Sequence, residues 1–255
     1  MNVLSLFDGL SCGQIALNNI GIKPSKYYAS EIDKYAIKVR DKNFPDTIGV
    51  GDVTKVCAAN LSHIDLLIGG SPCQGFSRAN GGKELNFDDP RSKLFFEYVR
   101  LLKELKPKYF LLENVSMNKE SLDIISEQLG VQPIMINSDR FIQQNRKRYY
   151  WTNIPLGELP DRPDWQGDFY QWRRTYYRKN KSGVSPCLTA NMGTGGHNVP
   201  LKSENKQDKL SPNECEALQG IPQGYTSGVS NCQRYKMIGN GWTIPVIEFI
   251  LKGIK

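Results

Sequence analysis

The chain has 255 residues, 39% hydrophobic and 23% charged, enough for one large domain with a sizeable core and a smaller second unit. Its formal net charge is +7, and no apolar run approaches the roughly eighteen residues of a membrane span. Six cysteines are scattered without a C-x-x-C pair, which argues against a disulfide framework and a zinc site. The N-terminal sequence MNVLSLFDG lacks the features of a secretory signal. We therefore expect a cytoplasmic, intracellular protein with free thiols, no bound metal, no membrane contact and no obligate protein partner.

Strands and helices alternate over the first 155 residues. The hydrophobic pattern predicts strands over 2–6, 27–30, 47–50, 66–68, 109–112 and 132–136. It predicts helices over 12–19, 34–43, 94–105 and 121–129. This alternation is typical of an α/β fold with a mostly parallel sheet and helices on both faces, in which ligands bind at the carboxyl ends of the strands.

The periodicity fades between residues 155 and 209, and helical patterns return over 212–218 and 244–252. We therefore predict a catalytic and cofactor-binding domain (1–155), a smaller loop-rich unit with a hinge (156–232), and a C-terminal segment that returns to the first domain (233–255). Residues 140–181 contain ten Lys or Arg against four Asp or Glu. Such an excess is typical of a surface that binds a polyanion, although a solvated basic loop fits the charge equally well.

The first strand runs into a glycine-bearing turn that opens a helix, in the sequence LSLFDGLSCG at residues 4–13. Glu31 stands about twenty residues further on, at the end of the next strand, where a carboxylate can bind ribose hydroxyls. The turn departs from the G-x-G-x-x-G spacing of dinucleotide sites, so we expect an adenosine-containing cofactor without a pyrophosphate. Asp52, after the third strand, fits either an adenine amino contact or a helix N-cap.

Cys73 lies in LLIGGSPCQGFS, directly after a short apolar strand and a turn marked by glycine and proline. A free cysteine is usually a small buried hydrophobe. The polar neighbours of Cys73 favour instead an accessible nucleophile on a tight connection.

Two further segments carry candidate catalytic side chains. Glu113 ends an apolar strand in YFLLENV, where it would hold or share a proton near Cys73 if the two strands are neighbours, or simply cap the strand. Arg146 and Arg148 alternate in QNRKRYYW and would share one face of a strand, suited to phosphate or carbonyl contacts or to a solvated edge.

These motifs, in this order, closely resemble those of the DNA cytosine-5 methyltransferase family over nearly the whole chain. The resemblance rests on FDGLSCG, SEID, GDV, GGSPCQGFS, DPRSKLFFEYVRLL, ENV, QNRKRYYW, LSPNECEALQGIPQGY and IGNGWTIPV. The first two-thirds is similar to the catalytic domain of the vertebrate de novo enzymes. The chain as a whole is more like a free-standing bacterial or phage enzyme, such as those of restriction-modification systems.

The resemblance implies a Rossmann-like sheet that binds S-adenosylmethionine and transfers its methyl group to C5 of a flipped-out cytosine in a specific double-stranded DNA sequence. Cys73 is implied as the nucleophile at C6, Glu113 as the partner of the N3 edge, and Arg148 as the contact to the base carbonyl. Arg146 is counted with them as a catalytic residue. The implied cofactor residues are Phe7, Asp8, Gly9, Ser11, Cys12, Gly13, Glu31, Ile32, Asp52, Val53, Pro72, Asn240 and Trp242. Gly241 stands where the family often has serine.

Two segments are expected to contact DNA: a mobile catalytic loop over 74–91 and target-reading loops over 173–196. The residues proposed for these contacts are Gln74, Ser77, Arg78, Arg91, Arg173, Arg174, Arg178, Thr189, Asn191 and Gly193. Three alternatives stay open: a tRNA cytosine-5 methyltransferase, a DNA-binding protein without activity, and a nucleotide-dependent oxidoreductase. The oxidoreductase would leave Cys73 and Glu113 without a purpose, and the inactive protein would not need to retain them.

Overall fold

A seven-stranded sheet forms the centre of the protein in the computed structural model, which describes residues 1–72, 92–194 and 198–255. Its strands are β1 (Asn2–Leu6), β2 (Lys26–Ser30), β3 (Ile48–Gly49), β4 (Leu66–Gly69), β5 (Tyr109–Asn114), β6 (Ile134–Asn137) and β7 (Lys147–Thr152). They lie in the order β3-β2-β1-β4-β5-β7-β6. Strand β7 runs antiparallel to both its neighbours, whereas the pairs among β1 to β5 are parallel. The predicted mostly parallel α/β fold is confirmed.

Helices cover both faces of the sheet, and each face has its own core. The helices are α1 (Cys12–Asn19), α2 (Lys34–Asn43), α3 (Phe95–Leu105), α4 (Lys119–Leu129), α5 (Pro212–Gln219), α6 (Asn231–Asn240) and α7 (Ile244–Leu251). Buried residues of α1, α2 and α7 pack into one core, and those of α3 and α4 pack into the other. Their apolar faces explain the arrangement, since each helix must bury its stripe against the sheet.

The helix ends follow local capping chemistry. Helix α5 begins with a capping box, in which Ser211 and Glu214 exchange hydrogen bonds, and it has Pro212 in its first turn. It ends at Gly220, whose φ of +72° is the left-handed conformation that glycine adopts without strain. The same logic starts α2 at Asp33, whose carboxylate accepts from two backbone N–H groups. These ends fix where the connecting loops leave the helices.

The segment between residues 155 and 209, which has little regular secondary structure, packs against the core on one face of the seven-stranded sheet. Leu188, Met192 and Val199 belong to the same core as α1 and α7. A two-stranded hairpin, β8 (Tyr170–Arg173) and β9 (Tyr176–Lys179), projects from this segment. The C-terminal helix α7 returns to α1, where Asn19 Nδ2 donates to Glu248 Oε1 at 2.6 Å. In the described ranges, no helix combines the length and apolar character needed to cross a membrane.

Several elements differ from the sequence prediction, among them β7, for which no strand bounds were predicted. Helix α6 and the hairpin β8–β9 were not predicted, and β5 extends two residues beyond the expected end, so that Glu113 lies within it. Helix α6 buries only three residues near its end, which leaves too weak a periodic signal. The hairpin strands have four residues each, too few for a clear alternating pattern.

Candidate active site

A cleft of about 300 Å³ opens at the carboxyl ends of the parallel strands. It brings together residues that lie far apart in the sequence. Most of the expected cofactor residues line it: Phe7, Asp8, Gly9, Cys12, Glu31, Ile32, Asp52, Val53, Pro72, Asn240 and Trp242. Glu113, Arg146 and Arg148 line the same cleft. A single cleft therefore joins the predicted cofactor and catalytic groups, as expected where ligands collect at strand ends.

The turn after β1 has an unusual backbone. Phe7, Gly9 and Ser11 all adopt left-handed φ angles of 57°, 58° and 68°. Non-glycine residues pay roughly 1–2 kcal/mol for this conformation, and such strain concentrates at ligand-binding sites. The turn is held to the neighbouring strand because the Gly9 N–H donates to Glu31 Oε2 at 2.7 Å.

Glu31 is fixed in place by backbone donors. Besides Gly9, the N–H groups of Ile32 and Asp33 both donate to its Oε1 at 2.8 Å. Each carboxylate oxygen has two acceptor sites, so Oε1 is fully used and Oε2 keeps one site for a hydroxyl of a ligand in the cleft.

Asp52 caps the turn that follows it, since its Oδ1 accepts from the backbone and the hydroxyl of Thr54 at 3.0 and 2.9 Å. These two hydrogen bonds lower the pKa of Asp52. The N-cap interpretation is thus correct, and Asp52 also lines the cleft, which leaves its adenine contact a prediction.

Asp8 is a buried acid at the edge of the cleft. Its Oδ1 accepts from the Tyr27 hydroxyl at 3.0 Å. Burial raises the pKa of Asp8 to about 6, against the smaller lowering effects of neighbouring hydroxyls and Arg40. Its carboxyl therefore changes charge close to neutral pH, beside the turn that shapes the cleft.

The predicted catalytic acid forms an ion pair with a predicted arginine. Arg148 Nε lies 2.9 Å from Glu113 Oε1, and both side chains are largely buried. Gly70, directly after β4, makes room for this arrangement. A Cβ at Gly70 would approach Glu113 Oε2 to 3.2 Å and Trp242 Nε1 to 2.8 Å. The absence of a side chain at Gly70 therefore leaves room for both the carboxylate and the indole at the end of β4.

The ends of β4 and β5 are neighbours, which satisfies the condition on which Glu113 was expected near Cys73. Gly69 pairs with Leu112 across the two strands. Just beyond, Asn114 Nδ2 donates to Ser71 Oγ at 3.0 Å and fixes the segment that leads to Pro72. Cys73 and the predicted catalytic loop 74–91, with Gln74, Ser77, Arg78 and Arg91, lie outside the described residues.

Arg146 also lines the cleft, and its hydrogen bonds within the described residues go to the protein itself. Its guanidinium donates to the carbonyls of Leu188, Gly239 and Gly241 at 2.7, 3.2 and 2.8 Å. It is 4% exposed. Arg146 and Arg148 lie on the same side of their segment, as predicted, because Arg146 Nη1 and Arg148 Nη2 lie 3.5 and 3.9 Å from Cys187 Sγ.

Cys187 was missed by sequence reasoning. Burial raises the pKa of its thiol, but the positive charges of Arg146 and Arg148 more than offset this, so the net pKa is lowered. Only the fold brings this cysteine next to the two arginines, which lie about forty residues earlier in the chain.

Two expected cofactor residues do not line the cleft. Ser11 is fully buried and accepts from Gln14 Nε2 at 2.8 Å. A Cβ at Gly13 would lie 2.4 Å from Ile68 Cδ1, so this glycine serves the packing of α1 on the sheet. A Cβ at Gly241 would lie 3.2 Å from Cys12 Sγ, so the loop passes close to α1 at this position.

An ion pair between two walls of the cleft was also missed. Lys236 Nζ on α6 lies 2.9 Å from Asp33 Oδ2 at the start of α2, and both residues line the cleft. Their separation by about two hundred residues leaves no local signal in the sequence. This pair ties α6 to the wall that carries Glu31.

The predicted DNA contacts fall into three groups. Thr189, Asn191, Arg173, Arg174 and Arg178 are exposed. Gly193 instead makes its close approach to α6, because a Cβ there would lie 2.5 Å from the Cys232 carbonyl oxygen. The DNA contact proposed for Gly193 stays a prediction. The glycines at 195 and 196, in the predicted target-reading loops, lie outside the described residues.

Among the described residues, no cluster of three or more metal-ligating side chains occurs.

Solved structures with this architecture are methyltransferases. A putative DNA modification methyltransferase encoded within an E. coli prophage matches with a TM-score of 0.73 and 21% identity, covering 100% of this chain and 98% of that one. A methyltransferase of Entamoeba histolytica, EhMeth, matches with a TM-score of 0.73 and 19% identity, covering 100% and 99%. The fold is therefore that of the α/β methyltransferases.

Sequence comparison gives the family. The family model "C-5 cytosine-specific DNA methylase" matches residues 1–158 and 137–255. The type II methyltransferase M.Bsp6I of a Bacillus species is 32% identical in an alignment of 312 positions, gaps included, which covers 100% of this chain and 98% of that protein. The orphan methyltransferase M.SPRI of Bacillus phage SPR is 38% identical over 261 residues, covering 94% and 58%. The chain belongs to the C-5 cytosine-specific DNA methylase family and is a DNA (cytosine-5) methyltransferase, as its motifs predicted.

Proposed function

We propose that the protein transfers a methyl group from S-adenosylmethionine to C5 of a flipped-out cytosine in a specific double-stranded DNA sequence, with Cys73 as the nucleophile. The observation that carries this proposal is the single cleft in which the anchored Glu31 and the Glu113–Arg148 ion pair occur together. A carboxylate suited to ribose and an acid–arginine pair suited to a pyrimidine edge are both needed for this reaction.

The residues of the cleft fit the cofactor. Glu31 offers a rigid carboxylate to ribose hydroxyls, Asp52 an acceptor to the adenine amino group, and Phe7 and Trp242 apolar surface to the ring. When bound, S-adenosylmethionine supplies an electrophilic methyl group. The protein's own part is to hold the two reactants in one cleft and to activate the base.

The base needs activation because C5 of cytosine is a poor nucleophile. The Cys73 thiolate would form a bond to C6 while Glu113 binds or protonates N3, which places electron density on C5. After methylation at C5, loss of the C5 proton and breakage of the sulphur–C6 bond would release 5-methylcytosine and the thiolate. Arg148, held by Glu113, would donate to the base carbonyl.

A cytosine in a duplex must leave the base stack to reach this cleft, at a cost of a few kcal/mol. We assign residues 1–155 and 233–255 to the catalytic unit, supported by the packing of α7 on α1, and residues 156–232 to target recognition and the hinge. In that unit, the exposed Arg173, Arg174 and Arg178 of the hairpin, together with Thr189 and Asn191, would contact DNA. Phosphate contacts would position the protein and base contacts would specify the site.

Methylation sequencing of both DNA and tRNA from cells that express the protein tests the substrate and maps the site. We expect 5-methylcytosine at one short DNA sequence. Methylation of tRNA alone would support the RNA alternative, and the absence of both would contradict the proposed function.

The nucleophile is tested with a duplex that carries 5-fluorocytosine at the mapped site. Fluorine at C5 cannot leave as a proton, so elimination stalls and a covalent protein–DNA adduct should accumulate with S-adenosylmethionine present. Mass spectrometry of the digested adduct should place the base on Cys73, and Cys187→Ser should form the adduct as well. An enzyme that methylates ordinary DNA without forming any adduct would disprove the assignment of Cys73.

A further inference from the structure

Three buried polar side chains link the target-recognition unit to the cofactor side of the cleft. These residues, here called the buried clamp, are Gln144, Arg146 and Gln219. Their exposures are 0%, 4% and 0%. Polar groups this deeply buried are costly unless their hydrogen bonds are made, so the partners of the clamp indicate what it holds.

One end of the clamp holds the peptide unit at Leu188 in the recognition segment. The Leu188 N–H donates to Gln144 Oε1 at 3.0 Å, and its carbonyl accepts from Arg146 Nη1 at 2.7 Å. The N–H and the carbonyl of Leu188 are thus both hydrogen-bonded, to the side chains of Gln144 and Arg146. Thr189, a proposed DNA contact, is the next residue in the chain.

The other end of the clamp holds the loop between α6 and α7. The Gly241 carbonyl accepts from Arg146 Nη2 at 2.8 Å and from Gln219 Nε2 at 3.3 Å. Gly241 lies between Asn240 and Trp242, which line the cofactor cleft. Gln219 also accepts from the Thr243 hydroxyl at 2.8 Å, so the loop is held on both sides of Trp242.

The two ends are joined directly. Gln144 Nε2 donates to Gln219 Oε1 at 3.1 Å, and the single guanidinium of Arg146 spans Leu188 and Gly241. The backbones themselves touch, since a Cβ at Gly239 would lie 2.1 Å from the Thr189 carbonyl carbon. A displacement of the recognition segment must therefore displace the cofactor loop or break several buried hydrogen bonds.

Arg146 has no carboxylate within ion-pair distance among the described residues; its contacts there are carbonyls and the Cys187 sulphur. A buried guanidinium satisfied in this way depends on all its carbonyl partners staying in place. Lysine retains the charge but places its three donors on one nitrogen, which does not reproduce the separate Nη1 and Nη2 donors that reach Leu188 and Gly241.

We infer that Gln144, Arg146 and Gln219 are positioning residues that couple DNA binding to cofactor binding, so that each ligand raises the affinity of the protein for the other. The inference rests on the proposed function, because it requires DNA at the recognition segment and S-adenosylmethionine at the cleft. By thermodynamic linkage the effect is reciprocal, and allosteric coupling of this kind is typically about tenfold.

The test uses the full chain, S-adenosylhomocysteine as the non-reacting cofactor probe, and a duplex with the mapped methylation site. The dissociation constant of the probe is measured by calorimetry with and without saturating duplex, and the ratio of the two is the coupling factor. We expect about tenfold for the wild type. In Arg146→Lys, Gln219→Met and Thr243→Val, we expect the factor to fall toward one.

Gln143→Met is the matched control. Gln143 precedes the clamp, and its Nε2 donates to the carbonyls of Gln166 and Gly183 at 2.7 Å, so it fastens the recognition unit without touching the cofactor loop. Its coupling factor should match the wild type. A merely structural role of the clamp would lower the melting temperature and the fraction of active protein, but would leave the ratio of dissociation constants unchanged.

Two results would overturn the inference: a coupling factor of one in the wild type, or a wild-type factor in folded clamp variants. If Arg146→Lys does not fold, the two other variants still decide the outcome. Failure of the wild type to bind either the probe or the duplex would instead refute the proposed function.

Discussion

The Glu113–Arg148 ion pair is the residue-scale feature on which the proposed chemistry depends. Glu113→Gln keeps the shape of the side chain but removes its charge and its capacity to transfer a proton, so methyl transfer should fall by about 10²–10⁴-fold. The affinity for S-adenosylhomocysteine should change less than about threefold, since Glu113 is not among the proposed cofactor contacts.

Glu31→Gln should show the opposite pattern to Glu113→Gln, with cofactor affinity affected more than turnover. It alters the carboxylate that anchors Gly9, so it should weaken cofactor binding before it affects turnover at saturating cofactor. Turnover with tritiated cofactor and calorimetric affinity separate the two. Equal losses of turnover and affinity in Glu113→Gln would indicate a structural role for Glu113.

Asp8 makes the stability of the protein depend on pH. Its pKa in the folded protein is about 6, raised by burial from an ordinary value of 3.8. Between these two values the folded state binds a proton that the unfolded state has lost, so the free energy of unfolding falls as pH rises, and the loss is complete above pH 6. At about 1.4 kcal/mol per pKa unit, the ionised Asp8 destabilises the fold by about 3 kcal/mol.

Asp8→Asn removes this dependence. Relative to wild type, the variant should gain about 3 kcal/mol in the free energy of unfolding between pH 4 and pH 7, measured by urea denaturation across this range. The exposed Asp46→Asn is the control and should give a curve parallel to wild type. A parallel curve for Asp8→Asn would contradict the raised pKa.

At the scale of elements, the β8–β9 hairpin has two distinct faces. Directly opposed residues in an antiparallel pair share a face, and the pairs Trp172–Tyr177 and Tyr170–Lys179 form one of them. This face is occupied: the rings of Trp172 and Tyr177 are 4.8 Å apart, and Lys206 Nζ lies 3.8 Å from the Trp172 ring centre.

The opposite face of the hairpin carries Gln171, Arg173, Tyr176 and Arg178. Both arginines donate to the single acceptor Gln171 Oε1, at 3.0 and 2.5 Å, and neither has an ion pair within the described part of the chain. Two converging guanidinium groups repel each other, and an anionic phosphate or a guanine edge would relieve this. A two-stranded ribbon also fits the major groove.

We predict that Arg173→Gln and Arg178→Gln each weaken DNA binding by about 1–3 kcal/mol. Lys179→Gln removes the same charge from the other face, where Lys179 Nζ already lies 2.7 Å from Asp168 Oδ1, and should change the affinity less than about twofold. Fluorescence anisotropy measures the DNA affinity of each variant and its dependence on salt concentration. A phosphate contact should reduce the salt slope by about one, whereas a base contact should relax specificity at one position. Equal effects of all three variants would contradict the two-faced hairpin.

At the scale of the whole molecule, the fold sorts the basic charge of residues 140–181. Arg146 is buried, Arg148 pairs with Glu113, and Arg162 pairs with Asp139 at 3.0 Å. Arg173, Arg174 and Arg178, which are exposed and have no ion pair within the described residues, lie together at the hairpin. Part of the positive charge predicted to meet a polyanion is therefore buried or ion-paired, while Arg140, Lys147 and Lys181 lie outside the hairpin strands.

Exchange of residues 173–196 for the equivalent loops of a relative should change the methylated sequence and leave cofactor affinity within about threefold. Leu188 is retained in the chimera, because its backbone is held by Gln144 and Arg146. Bisulfite sequencing identifies the new site, and circular dichroism verifies folding. A folded chimera that methylates the original site would show that the reading residues lie elsewhere.

The parallel part of the sheet, the family and most of the cleft could be predicted from the sequence alone, because these depend on local patterns. An apolar strand followed by a glycine turn places Phe7 and Gly9 at a strand end, and Glu31 and Glu113 follow from the same rule. The neighbouring positions of β4 and β5 were a condition in the sequence argument and became a fact only through strand pairing.

The contacts of the long side chains could not be predicted in this way and were found in the folded protein. Arg146 was predicted to be a catalytic residue, and the structure shows that it binds three backbone carbonyls about 40 to 95 residues away. Gly193 was predicted to contact DNA, and the structure shows its close approach to α6. The physical reason is that periodicity fixes the direction of a side chain relative to its own strand or turn, whereas its partners depend on which distant segments pack there, and no local pattern encodes that.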